Sequence, residues 1–230
     1  YGKKVSVSSS LEGYPAENIV DEDARTAWVA QSNRDMEWAQ VDLQRLSSIH
    51  AIQVNFDEYG ANQKGAVSGV YQSYLIYASV NGEDWSLVVD YGTKKTDTPH
   101  DYIEFEEPFK ARYIKLQNKE YTVSENFSVR DLRIFGKGQG STPRAVNDFT
   151  VERDEADPCK ARLCWEAVPD AQGYIVRYGI AGDKLYNNFQ VMGENTLEIG
   201  SLNKGVAYYF TIDAYNENGI TRTSRIKVCR

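Results

Sequence analysis

The sequence predicts an all-β protein made of two β-sandwiches in tandem. Short runs that alternate apolar and polar residues recur along the 230 residues, which is typical of half-buried strands. Turn signals separate these runs, and Asn81-Gly82 is a strong hairpin turn between two of them. Tyr supplies 16 of the aromatic residues and suits pleated sheets. No long amphipathic helix is evident.

The strand-like runs fall into two groups, separated by a segment rich in Gly, Ser, Thr and Pro. The first group is Ala51–Phe56, Ser73–Ser79, Ser86–Tyr91, Asp101–Glu106, Arg112–Gln117 and Val129–Gly136. The second group is DFTVER, ARLCWEAV, GYIVRYGI, TLEIGSL, AYYFTIDAYN and SRIKVC. The segment GKGQGSTP at Gly136–Pro143 predicts a flexible connector. We therefore expect domains at residues 1–137 and 145–230, with a linker at 138–144.

The charge of the chain argues against nucleic acid as a partner, and its hydropathy argues against a membrane-spanning helix. Residues up to 140 carry 15 basic and 21 acidic side chains, and the rest carry 11 and 12, for a net charge of −7 overall. No basic stripe is present to neutralise phosphates, so nucleic acid is not an expected partner. No apolar run reaches the ~20 residues that span a bilayer. The chain opens at Tyr1 without a signal peptide, so we expect a segment of a larger protein.

The sequence offers no recognisable catalytic constellation. His50 and His100 have no neighbouring Ser or Cys in a nucleophile motif such as G-x-S-x-G. Carboxylate pairs such as Glu106-Glu107 are interpreted as solvated turns, because a glycosidase pair is defined by its separation across a cleft. We predict that this segment is not itself an enzyme.

Three cysteines lie in the second part, at Cys159, Cys164 and Cys229. Their spacing fits no metal motif. A disulfide from Cys229 to either of the other two is feasible, and the sequence leaves that choice open.

The stretch Gly13–Trp28, which reads GYPAENIVDEDARTAW, predicts a loop that enters a β core. Asp21, Asp23 and Thr26 offer hard oxygens at short spacing, as a bound Ca²⁺ or Na⁺ requires. Trp28 follows as a large apolar anchor. The alternative is an acidic surface turn without an ion, because Asp side chains bond their own backbone.

Residues 3–136 resemble a discoidin, or coagulation factor 5/8 type C, domain, known in bacterial enzymes as the family 32 carbohydrate-binding module. The opening motif is matched at Gly13–Trp28, with Glu22 where the family has Gly. Further matches are WAQVDL at Trp38–Leu43, SVNGEDW at Ser79–Trp85, ARYIKL at Ala111–Leu116 and SVRDLRIFG at Ser128–Gly136. The resemblance implies a jelly-roll β-sandwich.

Residues 145–230 resemble a fibronectin type III domain, which is an immunoglobulin-like β-sandwich. Trp165 matches the core tryptophan of the second strand, and Gly173–Gly179 matches the third strand. Leu202–Tyr208 places Tyr208 at the tyrosine-corner position. Ala214 and Asn216 match the end of the strand that follows.

The discoidin resemblance implies one structural calcium ion. Asp21 and the Thr26 hydroxyl would supply side-chain oxygens, and Asn18, Asp23 and Thr26 would supply main-chain carbonyls. A late Glu of the family maps to Asp131, which is one carbon shorter, with Arg130 contributing its carbonyl. The ion would hold the fold together and take no part in chemistry.

A binding surface is expected in the loops at one end of the first sandwich. Sugars need a flat aromatic face together with planar donors and acceptors. The loops Gln31–Glu37, Asp57–Gln72 and Glu120–Phe127 carry such groups. The candidate contacts are Asn33, Arg34, Tyr59, Asn62, Tyr71, Tyr121, Asn126 and Phe127. The alternative is that these are ordinary loop residues with aromatics packed beneath them.

Together these features predict a non-catalytic carbohydrate-binding region of a larger secreted bacterial glycoside hydrolase. The pairing of the two domains resembles the C-terminal part of family 43 xylosidases and arabinosidases, which implies a periplasmic or cell-surface location. The expected partners are a polysaccharide or oligosaccharide and an upstream catalytic domain of the same chain. The alternative function is a structural or protein-interaction spacer. The acidic first domain argues against binding to membrane lipid.

Overall fold

The computed structural model describes residues 1–61 and 69–230. Their regular secondary structure is almost entirely β, as the sequence predicts. They form two compact units, Tyr1–Gln139 and Gly140–Arg230. Within these ranges no helix is long and apolar enough to cross a membrane. Part of the expected linker belongs to the second unit. The carbonyl of Ser141 accepts hydrogen bonds from Asn216 and Asn218, and that of Pro143 accepts one from Thr221.

The described residues of the first unit form seven strands and one short 3-10 helix, Ala16–Val20. The strands are β1 (Lys4–Val7), β2 (Trp28–Val29), β3 (Trp38–Phe56), β4 (Gln72–Ser79), β5 (Ser86–Tyr91), β6 (His100–Tyr121) and β7 (Ser128–Gly138). The two runs expected at Asp101–Glu106 and Arg112–Gln117 are parts of one long strand, β6.

All pairings in this unit are antiparallel, and the long strands β3 and β6 take part in both halves of the sandwich. Residues 39–42 of β3 pair with β1, and residues 38–42 pair with residues 113–117 of β6. Residues 51–56 pair with β7, and residues 51–55 also pair with the start of β6. The register of β3 shifts between Asp42 and Ser47, where Gln44 has a φ of 67°. This irregularity marks the passage from one half to the other.

One hydrophobic cluster fills the first unit and draws on both halves. Strand β6 shows how the alternation works, since Ile114 and Leu116 are fully buried while Tyr113, Lys115 and Gln117 are only partly buried. Successive residues of a strand point to opposite faces, so these three lie on the outer face of the sheet.

The predicted hairpin at Asn81-Gly82 is present, with a longer loop than two residues. Strands β4 and β5 pair antiparallel and are joined by residues 80–85. The Asn81 side-chain oxygen accepts hydrogen bonds from the amides of Glu83 and Asp84. Gly82 has a φ of 83°, and a Cβ there would lie 3.3 Å from the ring of Tyr113. Glycine therefore suits this turn on both counts.

The second unit contains two antiparallel sheets around a core of its own. Its strands are β8 (Phe149–Arg153), β9 (Ala161–Trp165), β10 (Gly173–Gly179), β11 (Asn187–Met192), β12 (Thr196–Ile199), β13 (Tyr208–Asn216), β14 (Gly219–Thr221) and β15 (Lys227–Cys229). One sheet has the order β12-β9-β8. In the other, β10 lies between β11 and β13, and β14 and β15 also pair with β13.

Two features of this core were expected at named residues. The Trp165 ring is buried and packs edge-on against Tyr174, with 5.1 Å between ring centroids. The amide of Asn203 donates a hydrogen bond of 3.2 Å to the hydroxyl of Tyr208, which is the contact of a tyrosine corner. The first contact joins the two sheets of this unit, and the second ties a loop to β13.

The three cysteines are free thiols in this structure. Cys229 is buried in the core of the second unit. Cys164 lies between Leu163 and Trp165, which face that core, so its thiol lies on the opposite face of β9. The pairing of Cys164 with Cys229 is therefore not supported by the fold.

Candidate functional site

The loops at one end of the first unit are connected by amide side chains. The Asn33 side chain donates to the carbonyls of Tyr121 (3.1 Å) and Ser124 (2.8 Å). The Asn126 side chain donates to the carbonyl of Ala30 at 2.9 Å. Both residues were candidate sugar contacts, and in the structure their amide nitrogens hold loops in place.

Asn118 makes a third connection, which the sequence analysis missed. This residue of β6 is fully buried, and its amide nitrogen donates to the carbonyls of Asn33 (2.8 Å) and Arg34 (3.0 Å). Its main chain also pairs with Met36 and Glu37. The loop Gln31–Glu37 is thereby fixed to the sheet on its inner side. No local sequence signal distinguishes this Asn from a surface residue of a strand.

Tyr121 and Phe127 correct the expectation of an aromatic platform for sugars. Their exposed fractions are 2% and 1%, and both belong to the hydrophobic core. The Tyr121 hydroxyl donates to the carbonyl of Asp57, and burial raises the pKa of this phenol. Because the two rings pack against each other and against Phe56, neither presents a face to a ligand.

The half-buried aromatic pair in this region is Tyr14 and Tyr59, whose rings meet edge-on at 4.9 Å. Tyr59 is a predicted contact, whereas Tyr14 was not singled out. Tyr71 is also partly buried, and its hydroxyl donates to Glu120 at 2.6 Å. The predicted contact Asn62 lies outside the described residues.

Arg34 lies at the rim of an open groove of about 520 Å³. The groove is lined by Ser8, Ser9, Gln31, Ser32, Arg34, Asp35, Met36 and Glu37. Arg34 is exposed, and within residues 1–61 and 69–230 its guanidinium donates no hydrogen bond, while its main-chain amide donates to the Ser32 hydroxyl. Its five N–H donors therefore remain open to a ligand.

Glu37 lines the same groove and is held by three serine hydroxyls. Its carboxylate accepts hydrogen bonds from the hydroxyls of Ser8, Ser9 (2.8 Å) and Ser32 (2.7 Å). Burial acts to raise the pKa of Glu37, but the three hydroxyls and the positive charge of Arg34 outweigh it and lower the pKa below its ordinary value of 4.5. The groove therefore holds a fixed carboxylate beside a free guanidinium.

This lowered pKa predicts acid sensitivity in the first unit. Ionised Glu37 stabilises the fold above pH 4.5, and that stabilisation is lost as the pH falls through the lowered pKa. We expect Glu37→Gln to flatten the decline in the free energy of unfolding, measured with urea from about pH 7 to about pH 3. The exposed Glu83→Gln serves as control. An unchanged pH dependence in Glu37→Gln would contradict the assignment.

The predicted ion loop is compact and closed by its own hydrogen bonds. Both carboxylate oxygens of Asp21 are used, one by the amide of Asp23 and one by the hydroxyl of Thr26, each at 2.8 Å. Asn18 donates to the carbonyl of Ala27 at 2.8 Å. Glu22 has a φ of 62°, a left-handed conformation that favours glycine, the residue that the discoidin resemblance implies at this position.

The side chains of Asp23 and Asp131 have other partners. The Asp23 carboxylate binds the guanidinium of Arg25, which lowers its pKa to about 2. Asp131 is buried, accepts a hydrogen bond from Asn55 at 3.1 Å and lies 3.5 Å from the guanidinium of Arg133. The neighbouring Arg130 pairs through its guanidinium with Asp57. The second carboxylate expected at an ion site is therefore engaged within the protein.

The donor set of this loop fits a hard cation only in part. No three His, Cys, Asp or Glu side chains of the described chain lie close enough together to hold a metal ion. A cation here would depend on Asp21, the Thr26 hydroxyl and main-chain carbonyls, all of which are oxygen donors of the kind that Ca²⁺ prefers.

The fold and its loop end define the first unit as a discoidin-like β-sandwich domain. The chain belongs to the F5/8 type C domain family, whose model matches residues 4–132.

Two curated relatives are similar over 110 residues, namely lactadherin of Rattus norvegicus (33% identical) and of Mus musculus (32% identical). The match covers 45% of this chain in both cases, and 25% and 23% of the two lactadherins. The chain therefore matches only about a quarter of the length of these relatives.

Among solved structures, chitosan-binding module 2 of a Paenibacillus sp. IK-5 chitosanase/glucanase, in complex with chitotriose, is 19% identical with a TM-score of 0.50. The match covers 59% of this chain and 97% of that module. The family 32 module of Clostridium perfringens NanJ, in complex with galactose, is 18% identical with a TM-score of 0.46, over 58% of this chain and 93% of the module. At this identity the chitosan-binding module shows a shared fold.

Proposed function

We propose that the first unit binds a glycan in the groove between Ser8–Ser9 and Gln31–Glu37. The observation that carries this proposal is Arg34, whose exposed guanidinium makes no hydrogen bond within residues 1–61 and 69–230 and lines the same groove as the fixed carboxylate of Glu37. A planar donor fork and a carboxylate acceptor suit the vicinal hydroxyls of a sugar. Membership of the F5/8 type C family and the chitotriose held by a module of the same fold support it.

The half-buried pair of Tyr14 and Tyr59 is the aromatic surface that this proposal favours. Two hydrogen bonds connect Tyr14 with the groove. The Ser10 hydroxyl donates to the carbonyl of Tyr14, and the side chain of Gln31, which lines the groove, donates to the carbonyl of Ser10. An aromatic ring beside a polar groove can cover the C–H face of a sugar.

The test is affinity electrophoresis and calorimetric titration of the 230-residue chain against xylan, arabinan and galactan. We expect Arg34→Ala to abolish retention on the bound glycan while the melting temperature stays unchanged. Arg222→Ala, which removes the same charge from an exposed site in the second unit, should bind as the parent does. Full binding by Arg34→Ala, or no retention on any of the three glycans, would refute the proposal.

A structural spacer remains the second candidate, because a specific observation favours it. Tyr121 and Phe127 are buried in the core, and the amide nitrogens of Asn33 and Asn126 bind main-chain carbonyls of the neighbouring loops. A spacer would show no retention on any glycan.

We infer further that the chain acts as an accessory region of a secreted glycoside hydrolase of the family 43 type, located in the periplasm or on the bacterial cell surface. A binding module would raise the concentration of a tethered catalytic domain on its polymer. The second unit would serve as a fibronectin type III spacer, an assignment supported by the Trp165 and Tyr208 contacts. Hydrolysis of aryl xylosides or arabinosides by the full-length protein would test the enzyme class, and inactivity on both would refute it.

We also propose that a calcium ion stabilises the loop around Asp21, with oxygens from Thr26 and the main chain. A ligand at 100 times its Kd adds about 2.7 kcal/mol to the free energy of unfolding. We therefore expect EGTA to lower the melting temperature of the first unit by several degrees, and excess Ca²⁺ to restore it. Asp21→Asn should lose this response, whereas the exposed Asp84→Asn should keep it. A melting temperature insensitive to EGTA would rule the ion out.

A further inference from the structure

The outer face of the first unit carries a lysine held between two tryptophans. The ammonium of Lys115, on β6, lies 3.8 Å from the ring centroid of Trp85 and 5.4 Å from that of Trp38. All three side chains are partly buried. Across the neighbouring strands, Lys115 is in register with Gln40 on one side and Tyr77 on the other. Aromatic rings and an amide therefore lie next to the Lys115 ammonium, and the charged residues Asp42 and Arg112 follow one pair further along the strands.

Lys115 has no acidic partner among residues 1–61 and 69–230. It has none although acidic side chains outnumber basic ones by 21 to 15 up to residue 140. The nearby Asp42 is bound at 2.8 and 2.9 Å by Arg112, and Lys119 is paired with Asp35. Partial burial lowers the pKa of Lys115, with no carboxylate to offset that effect. A partly desolvated, unpaired cation leaves an anion-binding position open.

We propose that this surface, the Lys115 face, binds the uronic-acid units of an acidic glycan. The sugar carboxylate would pair with the ammonium of Lys115, and the C–H face of the ring would lie against Trp38 or Trp85. The amides of Gln40 and Gln117, on the same face, are planar partners for hydroxyls. The proposal rests on the proposed glycan-binding function and adds the charge class of the ligand.

The Lys115 face is continuous with the groove at Arg34. The main-chain amide of Ser8 donates to the carbonyl of Trp38, and the amide of Trp38 donates to the Ser8 hydroxyl, each at 2.9 Å. Gln117, in register with Trp38, donates to the sulfur of Met36 at 3.1 Å. A glycan chain of several units could therefore occupy both positions. An open sheet face suits such an extended chain better than a single terminal sugar.

The experiment titrates the whole chain with oligogalacturonate, with its methyl ester and with glucuronoxylan oligomers. The ester keeps the sugar ring and removes the charge. We expect at least one uronate oligomer to bind. Removing the carboxylate charge in the ester, or the ammonium charge in Lys115→Met, should weaken that binding about ten-fold or more. Met keeps the length of the stem between the tryptophans, and Lys115→Arg should retain binding. Lys110→Met, an exposed position on the same strand, is the matched control for charge.

The outcomes separate this inference from the proposed function. Lys115→Met should leave retention on neutral glycans intact, whereas Arg34→Ala should remove it. Equal binding of uronate oligomers by Lys115→Met and the parent, or no binding of either uronate oligomer, would overturn the inference even if neutral glycans bind. Capture by phosphatidylserine vesicles that depends on Lys115 and exceeds capture by phosphatidylcholine vesicles would also overturn it, in favour of a lipid headgroup.

Discussion

Phe127→Ala is expected to lower the free energy of unfolding of the first unit by about 3–5 kcal/mol. The ring is 1% exposed and meets Trp28, Tyr121 and Phe56 at centroid distances of 5.8, 5.4 and 6.0 Å. Its removal leaves a cavity at the point where these aromatic rings converge, and close-packed neighbours cannot collapse to fill it. A loss of this size approaches the whole stability of many domains. Urea unfolding followed by tryptophan fluorescence measures it.

The matched variants separate a core role from a ligand role. Phe127→Leu keeps most of the buried apolar volume and should cost less than Phe127→Ala. Arg34→Ala, at the exposed rim of the groove, should change stability by no more than about 0.5 kcal/mol. If Phe127→Ala kept the parent stability and lost only glycan affinity, the ring would belong to the binding surface instead.

Arg177→Met is expected to destabilise the second unit by about 2–3 kcal/mol. Arg177 binds Asp213 through two hydrogen bonds of 2.8 and 3.2 Å, and the Asp213 side chain is only 3% exposed. Removing the guanidinium strands a buried carboxylate, which costs about 3–5 kcal/mol in a fully buried pair. We expect less here because the Arg177 side chain is 30% exposed. Differential scanning calorimetry of the chain would resolve the loss.

The double variant Arg177→Met/Asp213→Asn tests the cause. It removes the stranded charge, so it should recover part of the stability that Arg177→Met loses. Lys160→Met, which breaks an exposed pair with Asp157, should cause no measurable change. If the double variant were as unstable as the sum of the two single variants, lost packing and not the stranded charge would explain the effect.

The strands could be predicted from the sequence because alternation is a local property. Ser86–Tyr91 was predicted with the bounds that the structure has, and Ser73–Ser79 differs from β4 by one residue. β11 was missed because its first four residues are all exposed at a sheet edge. No alternation of apolar and polar residues is therefore present to detect. β3 and β6 were shortened because a bulge interrupts their period without ending the strand.

The candidate site was harder to predict because its members are defined by contacts between distant segments. Arg34 was found because it stands in a polar loop, whereas Phe127 and Tyr121 looked equally loop-like and are core residues. Glu37 acquires its role from serines 5, 28 and 29 residues away. Such groups have no common spacing, and only the folded chain brings them together.

The passage of β3 and β6 through both halves of the first sandwich has a consequence for local opening. Neither half can separate from the other without breaking two strands that both share. Amide protons of Ile52 and Val54 in one half, and of Ile114 and Leu116 in the other, should therefore exchange with solvent through the same global opening. The groove and the Lys115 face are then parts of one cooperative block, and a ligand at either would slow exchange throughout it.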